Sequence, residues 1–310
     1  MRMLVLGAGA LGGYFGGRLV EAGGDVTFLV RPARAAALGA KGLSIESPFG
    51  NAQLAVRTVT AEALAPGFDV VLLGCKAYDL DDAIAAIRPA MTESTAVLPM
   101  LNGLAHIAAL NAAFGQVRVL GGLCKIQATL SPEGGVRHLN DWRWITFGEQ
   151  DGSITPRVQA IAAAFQGAKG VVAEAVPDIG QRMWEKFVHL GTAALGTVLM
   201  RANVGEIVRA GGAGFMAEAL ARNAAIAAHH GHPMPEAFMR DYGALFSDPA
   251  SAYSTSLLRD IEGGRRTEGE HILGHLLEAG RAAGIETAWH EAAALHIRAH
   301  EARRQAGRLP

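Results

Sequence analysis

The stretch LVLGAGALGG, Leu4 to Gly13, most constrains what this chain can fold into. A short apolar run, Met3 to Leu6, reads as a parallel strand buried on both faces. Three glycines follow at once. Gly7 permits a tight turn, Gly9 lets a pyrophosphate approach the backbone, and Gly12 lets a helix pack closely on the sheet. The unpaired N–H groups and the dipole of that helix favour an anion at its start. Leu11, Phe15 and Leu19 recur four apart, as in an amphipathic helix. The G-x-G-x-x-G spacing alone says little in a chain with 39 glycines. A strand before it and a helix after it make dinucleotide binding by Gly7, Ala8, Gly9, Ala10, Leu11 and Gly12 the preferred reading over a bare turn.

The same alternation continues. DVTFLVR (Asp25 to Arg31) reads as a second strand, and LSIES with QLAVRTV as a short strand pair. DVVLLGCKAYDL is a buried strand running into a loop and helix, and TAVLPMLNG a strand ending in a polar turn. VRVLGGLCKIQATL and RWITFGE read as later strands. This order implies a mostly parallel, doubly wound sheet. Its ligands gather beyond the carboxyl ends of the strands, where Arg31, Lys76 and Asn102 stand. From Ile179 onward alanine-rich helical patterns replace strands, and segments such as MAEALARNAAIAAHHG and HILGHLLEAGRAAG end at glycine. The expected domains are 1–178 and 179–310.

With 310 residues the length suits about two domains. A formal net charge of -1 argues against a general nucleic-acid binder. No apolar run reaches the ~20 residues of a membrane span. The start MRMLVL lacks a secretory pattern, so a cytoplasmic location is expected. Cys75 and Cys124 have no metal or redox spacing. They read as small core residues, and no metal site is expected.

Arg31 closes the second strand roughly 20 residues past the glycine loop, where an acid would bind the ribose hydroxyls of NAD. An arginine pairs instead with a 2′-phosphate, and Arg34 is placed to help, so NADPH is favoured over NADH. Lys76 offers an ammonium to a phosphate or ribose. Asn102 carries both a donor and an acceptor, although Asn-Gly is also a common turn dipeptide. In MWEKFVHL, Lys186 has apolar neighbours, Trp184, Phe187 and Val188, whose packing would favour a lowered pKa. Such a lysine can protonate a developing alkoxide; the alternative is a snorkelling side chain at the domain junction. His189 lacks an orienting partner in the sequence and reads as structural. Ser256 and Asp260 are four apart, on one helical face. Glu268 follows a glycine-containing turn and begins another helix, where an acid also suits the dipole.

Taken together, GAGALG, the Arg31 position, CKAYD, LNG, WEKF and SLLRDIEGGRRTE resemble the ketopantoate reductase (2-dehydropantoate 2-reductase) family over almost the whole chain. The resemblance implies an α/β Rossmann-type doubly wound N-terminal domain plus an all-α C-terminal domain. It implies an NADPH-dependent reduction of a 2-keto acid in pantothenate synthesis. By that resemblance Gly7 to Gly12, Arg31 and Lys76 bind NADPH, and Asn102 touches both cofactor and substrate. Lys186 binds the ketone oxygen and acts as general acid, and Ser256 holds the substrate carboxylate. Glu268 hydrogen-bonds near the reacting centre or the nicotinamide ribose.

One departure stands out. The family commonly has asparagines four and eight residues after the lysine; this chain has Leu190 and Ala194. A related 2-keto acid or ketone reductase with an altered pocket is therefore the alternative enzyme. A non-catalytic NADPH-binding regulator is the alternative of another class, opposed by Lys186, Ser256 and Glu268 being kept together. The helical half offers a surface for a homodimer.

Overall fold

Four consecutive fully buried side chains, Val70 to Leu73, show why the first sheet is parallel: both of its faces are covered. In the computed structural model, which describes residues 1–309, the chain forms two compact units. One contains 1–102 and 106–180; the other contains 103–105 and the residues from Gln181 onward.

The first unit opens with β1 (Arg2–Leu6), α1 (Ala10–Glu21), β2 (Asp25–Leu29) and α2 (Pro32–Lys41). Next come β3 (Leu43–Glu46), β4 (Ala52–Leu54), β5 (Arg57–Val59), β6 (Val70–Leu73), α3 (Leu80–Ile87) and β7 (Ala96–Pro99). Then follow α4 (Ala105–Phe114), β8 (Gly121–Leu130), β9 (Val136–Gly148), α5 (Pro156–Ala164) and β10 (Val172–Ala175). Strands β5-β2-β1-β6-β7 make an all-parallel sheet. Its order reverses direction at β1, so the crevice beyond β1 and β6 is the topological switch point.

The expected single sheet is corrected here to two. Strands β10-β9-β3-β4, with β8 paired to β9, form a second, mixed sheet. QLAVRTV is not one strand: β4 pairs antiparallel with β3 in the second sheet, and β5 pairs parallel with β2 in the first. Residues between them carry the chain from one sheet to the other. VRVLGGLCKIQATL likewise starts beside the first sheet, where the Leu120 N–H donates to the Val97 carbonyl, and then becomes half of the β8–β9 hairpin.

Helix α1 packs against both sheets, and its paired glycines explain how. A Cβ on Gly16 would stand 2.9 Å from Phe28 and Val5 of the first sheet. On Gly13 and Gly17 it would stand 2.7 Å from Val136 and Ile45 of the second. Tyr14, Phe15 and Leu19 fill the remaining space in the unit's larger apolar cluster.

The second unit is helical. It comprises most of α6 (Ile179–Met200), then α7 (Val204–Ile207), α8 (Ala213–His229), α9 (Glu236–Ser247), α10 (Ser256–Glu262), α11 (His275–Ala282) and α12 (Ala288–Gln305). Residues Glu270–Gly274 form a π turn that runs into α11. No helix among the described residues is long and apolar enough to cross a membrane.

Candidate active site

In the first unit, Gly7 has φ +81, a conformation L side chains rarely adopt. Its N–H donates to the Leu29 carbonyl at 2.9 Å, which ties the loop to the end of β2. A Cβ on Gly12 would collide with the Gly7 carbonyl oxygen. Gly9, by contrast, is the N-cap of α1, has no side-chain cap, and would point a Cβ into open space. The loop therefore leaves an uncapped helix N-terminus beside an empty volume, the geometry that accepts an anion. Ala8, Ala10 and Leu11 line this turn without adding a polar side chain.

Arg31 is exposed at the N-cap of α2, two residues past β2. Arg34 lies one turn on, but its Nη2 donates to the Ala8 carbonyl at 2.9 Å and the Gly134 carbonyl at 2.7 Å. Arg34 thus braces the glycine loop against the β8–β9 turn, a task the sequence did not announce. Lys76 is exposed at the start of the turn after β6. Gly74, two residues earlier, approaches the N-terminus of α1: a Cβ there would stand 3.3 Å from the Gly12 nitrogen. Asn102 is half-buried beyond β7. Cys75 and Cys124 form no disulfide, and Cys124 joins the unit's apolar core.

In the second unit, Lys186 is half-buried on α6. Trp184 stacks on the imidazoles of His230 and His232, with ring centroids 5.2 and 5.6 Å away. Phe187 and Val188 are fully buried in two apolar clusters. His189 stacks with Tyr242 at 4.4 Å and Tyr253 at 5.4 Å, inside an aromatic group. Leu190 is half-buried, whereas Ala194 is buried among Phe187, Leu195 and Val198.

Ser256 is the first residue of α10, and Thr255 caps that helix by accepting from the Leu258 N–H. The Thr255 hydroxyl also meets that of Thr197 on α6 at 2.9 Å, and Thr197 donates to the Ala193 carbonyl. This buried pair fixes the start of α10 against the helix that carries Lys186. Neither threonine stands out in the sequence, because its neighbours are ordinary helical residues. Asp260 accepts from Arg265 Nε at 2.9 Å, so it holds the GGRR turn. Glu268 is only 6 % exposed, and its carbonyl accepts from the Ile272 N–H at the first turn of the following helical segment. Gly103, the residue after Asn102, packs on His271 of that segment. A π turn there gives residues 270–274 a local geometry that an ordinary helix lacks.

Two family models of ketopantoate reductase PanE/ApbA match this chain. The N-terminal model covers residues 3–152 and the C-terminal model residues 178–301. The chain belongs to the ketopantoate reductase family.

Among curated relatives of this reductase, the uncharacterized oxidoreductase YkpB of Bacillus subtilis is 36% identical over 279 residues, 90% of this chain and 91% of that protein. The 2-dehydropantoate 2-reductase of Archaeoglobus fulgidus is 32% identical, covering 93% of each chain. The crystal structure of 2-dehydropantoate 2-reductase from Methylococcus capsulatus superposes with a TM-score of 0.88 at 28% identity, covering 98% of each chain. The protein is thus an oxidoreductase of an NADPH-dependent family. The uncapped, open glycine loop fits such a dinucleotide.

Proposed function

We propose that this reductase converts a 2-keto acid to the 2-hydroxy acid, with 2-dehydropantoate to pantoate, a step of pantothenate biosynthesis, as the leading reaction. The observation that carries this reading is the retention of Lys186, Ser256 and Glu268, together with the glycine loop, in a chain of this family. NADPH, when bound, supplies the hydride that adds to the ketone carbon. Gly7 to Gly12 hold the pyrophosphate on the N–H groups opening α1, and Arg31 pairs with the 2′-phosphate. Lys76 contacts the cofactor's phosphate or ribose, and Asn102 orients cofactor and substrate. The Lys186 ammonium binds the ketone oxygen and gives it a proton as the alkoxide develops, which completes the hydroxyl. The Ser256 hydroxyl donates to the substrate carboxylate. Glu268 accepts a hydrogen bond beside the reacting carbon or from the ribose. NADPH oxidation with a panel of 2-keto acids tests this. Turnover of at least one supports the reading; NADPH binding without turnover of any favours a regulator.

Leu190 supports a second reading. One turn from Lys186, it presents an isobutyl group where the family commonly has a carboxamide. A substrate hydroxyl buried there without a partner would cost ~1–3 kcal/mol. A 2-keto acid with an apolar tail would avoid that cost.

A further inference from the structure

A solvent-open cavity of about 450 Å³ lies in the helical unit, at the end of α6 opposite Lys186, with Arg201, Glu262, Ala299 and Arg303 exposed at its rim. Arg201, Ile261, Glu262, His296, Ala299, His300, Arg303 and Leu309 line it. Lys186 and Arg201 are 15 residues apart, which is roughly 22 Å along a helix, so this cavity is separate from the lysine that the proposed reaction uses. Four of its side chains, His296, Ala299, His300 and Arg303, recur at the spacing of one α12 face. Two arginines and two histidines thus line one space, with Glu262 the single acid among the lining residues, and Arg303 Nη2 donates to the Arg308 carbonyl at 3.3 Å.

Three further features single the place out. Arg201 has φ +51 and is the one non-glycine residue with positive φ among the described residues. It follows the last residue of α6, where glycine would adopt that conformation without strain. A long cation stands there instead, at the cavity wall. His300 is 6 % exposed and fixed by its Nε2–H, which donates to the Arg265 carbonyl at 2.9 Å. His296 is held below the ordinary imidazole range, first by burial and then by Arg201 and His300. Arg201 and His300 both disfavour a charge on His296, an effect that a bound anion would offset. Ile261, Ala299 and Leu309 add apolar surface beside them.

We propose that this cavity is a binding site for the phosphate group of a small phosphate ester. Arg201 and Arg303 grip the phosphate oxygens, a ring N–H of His296 adds a donor, His300 serves as a fixed wall, and the apolar side receives the organic part. Guanidinium groups suit phosphate because they offer paired N–H donors to adjacent oxygens.

The test is calorimetric titration of glycerol 3-phosphate, and separately of inorganic phosphate, into the intact protein saturated with NADPH. Saturation keeps the cofactor's own phosphate sites filled. Glycerol 3-phosphate is expected to bind with one site per chain, more tightly than inorganic phosphate. Arg303→Ala is expected to weaken it by on the order of tenfold or more. Arg201→Gly is expected to weaken it similarly while leaving the melting temperature unchanged or raised, because glycine relieves the backbone strain. That variant separates lost binding from lost folding. Unchanged affinity in both variants overturns the site. So does no binding by the native protein at roughly 10 mM ligand, a dissociation constant too weak for a built site. An ester that binds no more tightly than inorganic phosphate overturns the assignment of an ester.

Discussion

Replacing Gly9 by alanine should leave the fold nearly untouched and cripple cofactor binding. The residue sits at φ -82 and ψ -165, which alanine adopts freely. An added Cβ meets nothing within 4 Å. Alanine is a poorer N-cap than glycine, a loss of about 0.5–1 kcal/mol. It also restricts the unfolded chain, a gain of about 0.4–1 kcal/mol. These nearly cancel, so the melting temperature without ligand should hold. On the proposed reading, the open volume is where the cofactor's pyrophosphate approaches the backbone. Losing one or two charge-assisted hydrogen bonds there removes about 1.5–3 kcal/mol, roughly a 10- to 150-fold weaker NADPH. At a concentration of 100 times the native dissociation constant, NADPH stabilises the native protein by about 2.7 kcal/mol. A 30-fold loss of affinity would cut that to about 0.9 kcal/mol. Thermal melts with and without NADPH, beside a direct fluorescence titration, read both quantities. A Gly9→Ala protein with native NADPH affinity would refute pyrophosphate binding at this loop. Gly12→Ala supplies the contrast: its Cβ collides with the Gly7 carbonyl, so it should lose stability even without ligand, by about 1–3 kcal/mol.

Arg31→Ala should weaken NADPH on the order of tenfold and spare NADH; equal losses in the two titrations would exclude a 2′-phosphate contact. Lys186→Ala should lower turnover ~10²–10⁴-fold with NADPH binding nearly intact, and normal turnover in the folded variant would remove the general-acid role. If Leu190 has made the pocket apolar, the specificity constant for 2-dehydropantoate should not exceed that for its analogue lacking the C4 hydroxyl; a strong preference for 2-dehydropantoate counts against that second reading. His290 is fully buried, and burial, with Arg222 nearby, lowers its pKa from 6.5 to about 4. Because its folded pKa is depressed, the stability is present above pH 6.5 and falls as pH drops from about 6.5 toward 4, by about 3 kcal/mol. His290→Gln should flatten the dependence of melting temperature on pH across that window, and an unchanged slope would reject the assignment.

The glycine loop and the parallel sheet were legible because their physics is local. An apolar run, a turn that only glycine suits and a four-residue helical spacing all lie within Met3 to Leu19. The second sheet was not, because β4 and β5 differ only in partner and lie two residues apart. Nothing in QLAVRTV says that one end pairs antiparallel with β3 and the other parallel with β2. Buried polar pairs were equally hidden. Thr197 with Thr255 spans 58 residues, and His290 donates to Asn223 across 67. Such pairings depend on how helices cross, which the spacing along one helix does not record. The position of Arg34 near Arg31 suggests help at a phosphate, but the sequence gives no sign that its Nη2 also donates to two backbone carbonyls.

Helix α1 is gripped on two sides, and neither side has room for another methyl group without movement. The N–H groups at its start are therefore already aimed before any nucleotide arrives. Their ordering entropy is lost once, when the domain folds, and is not charged again to each binding event. The second sheet touches that helix through Val136 and Ile45. Trimming either side chain would leave the loop chemically intact and let the helix rock. The damage would register first as faster cofactor release, from a position whose own side chain offers the nucleotide no hydrogen bond.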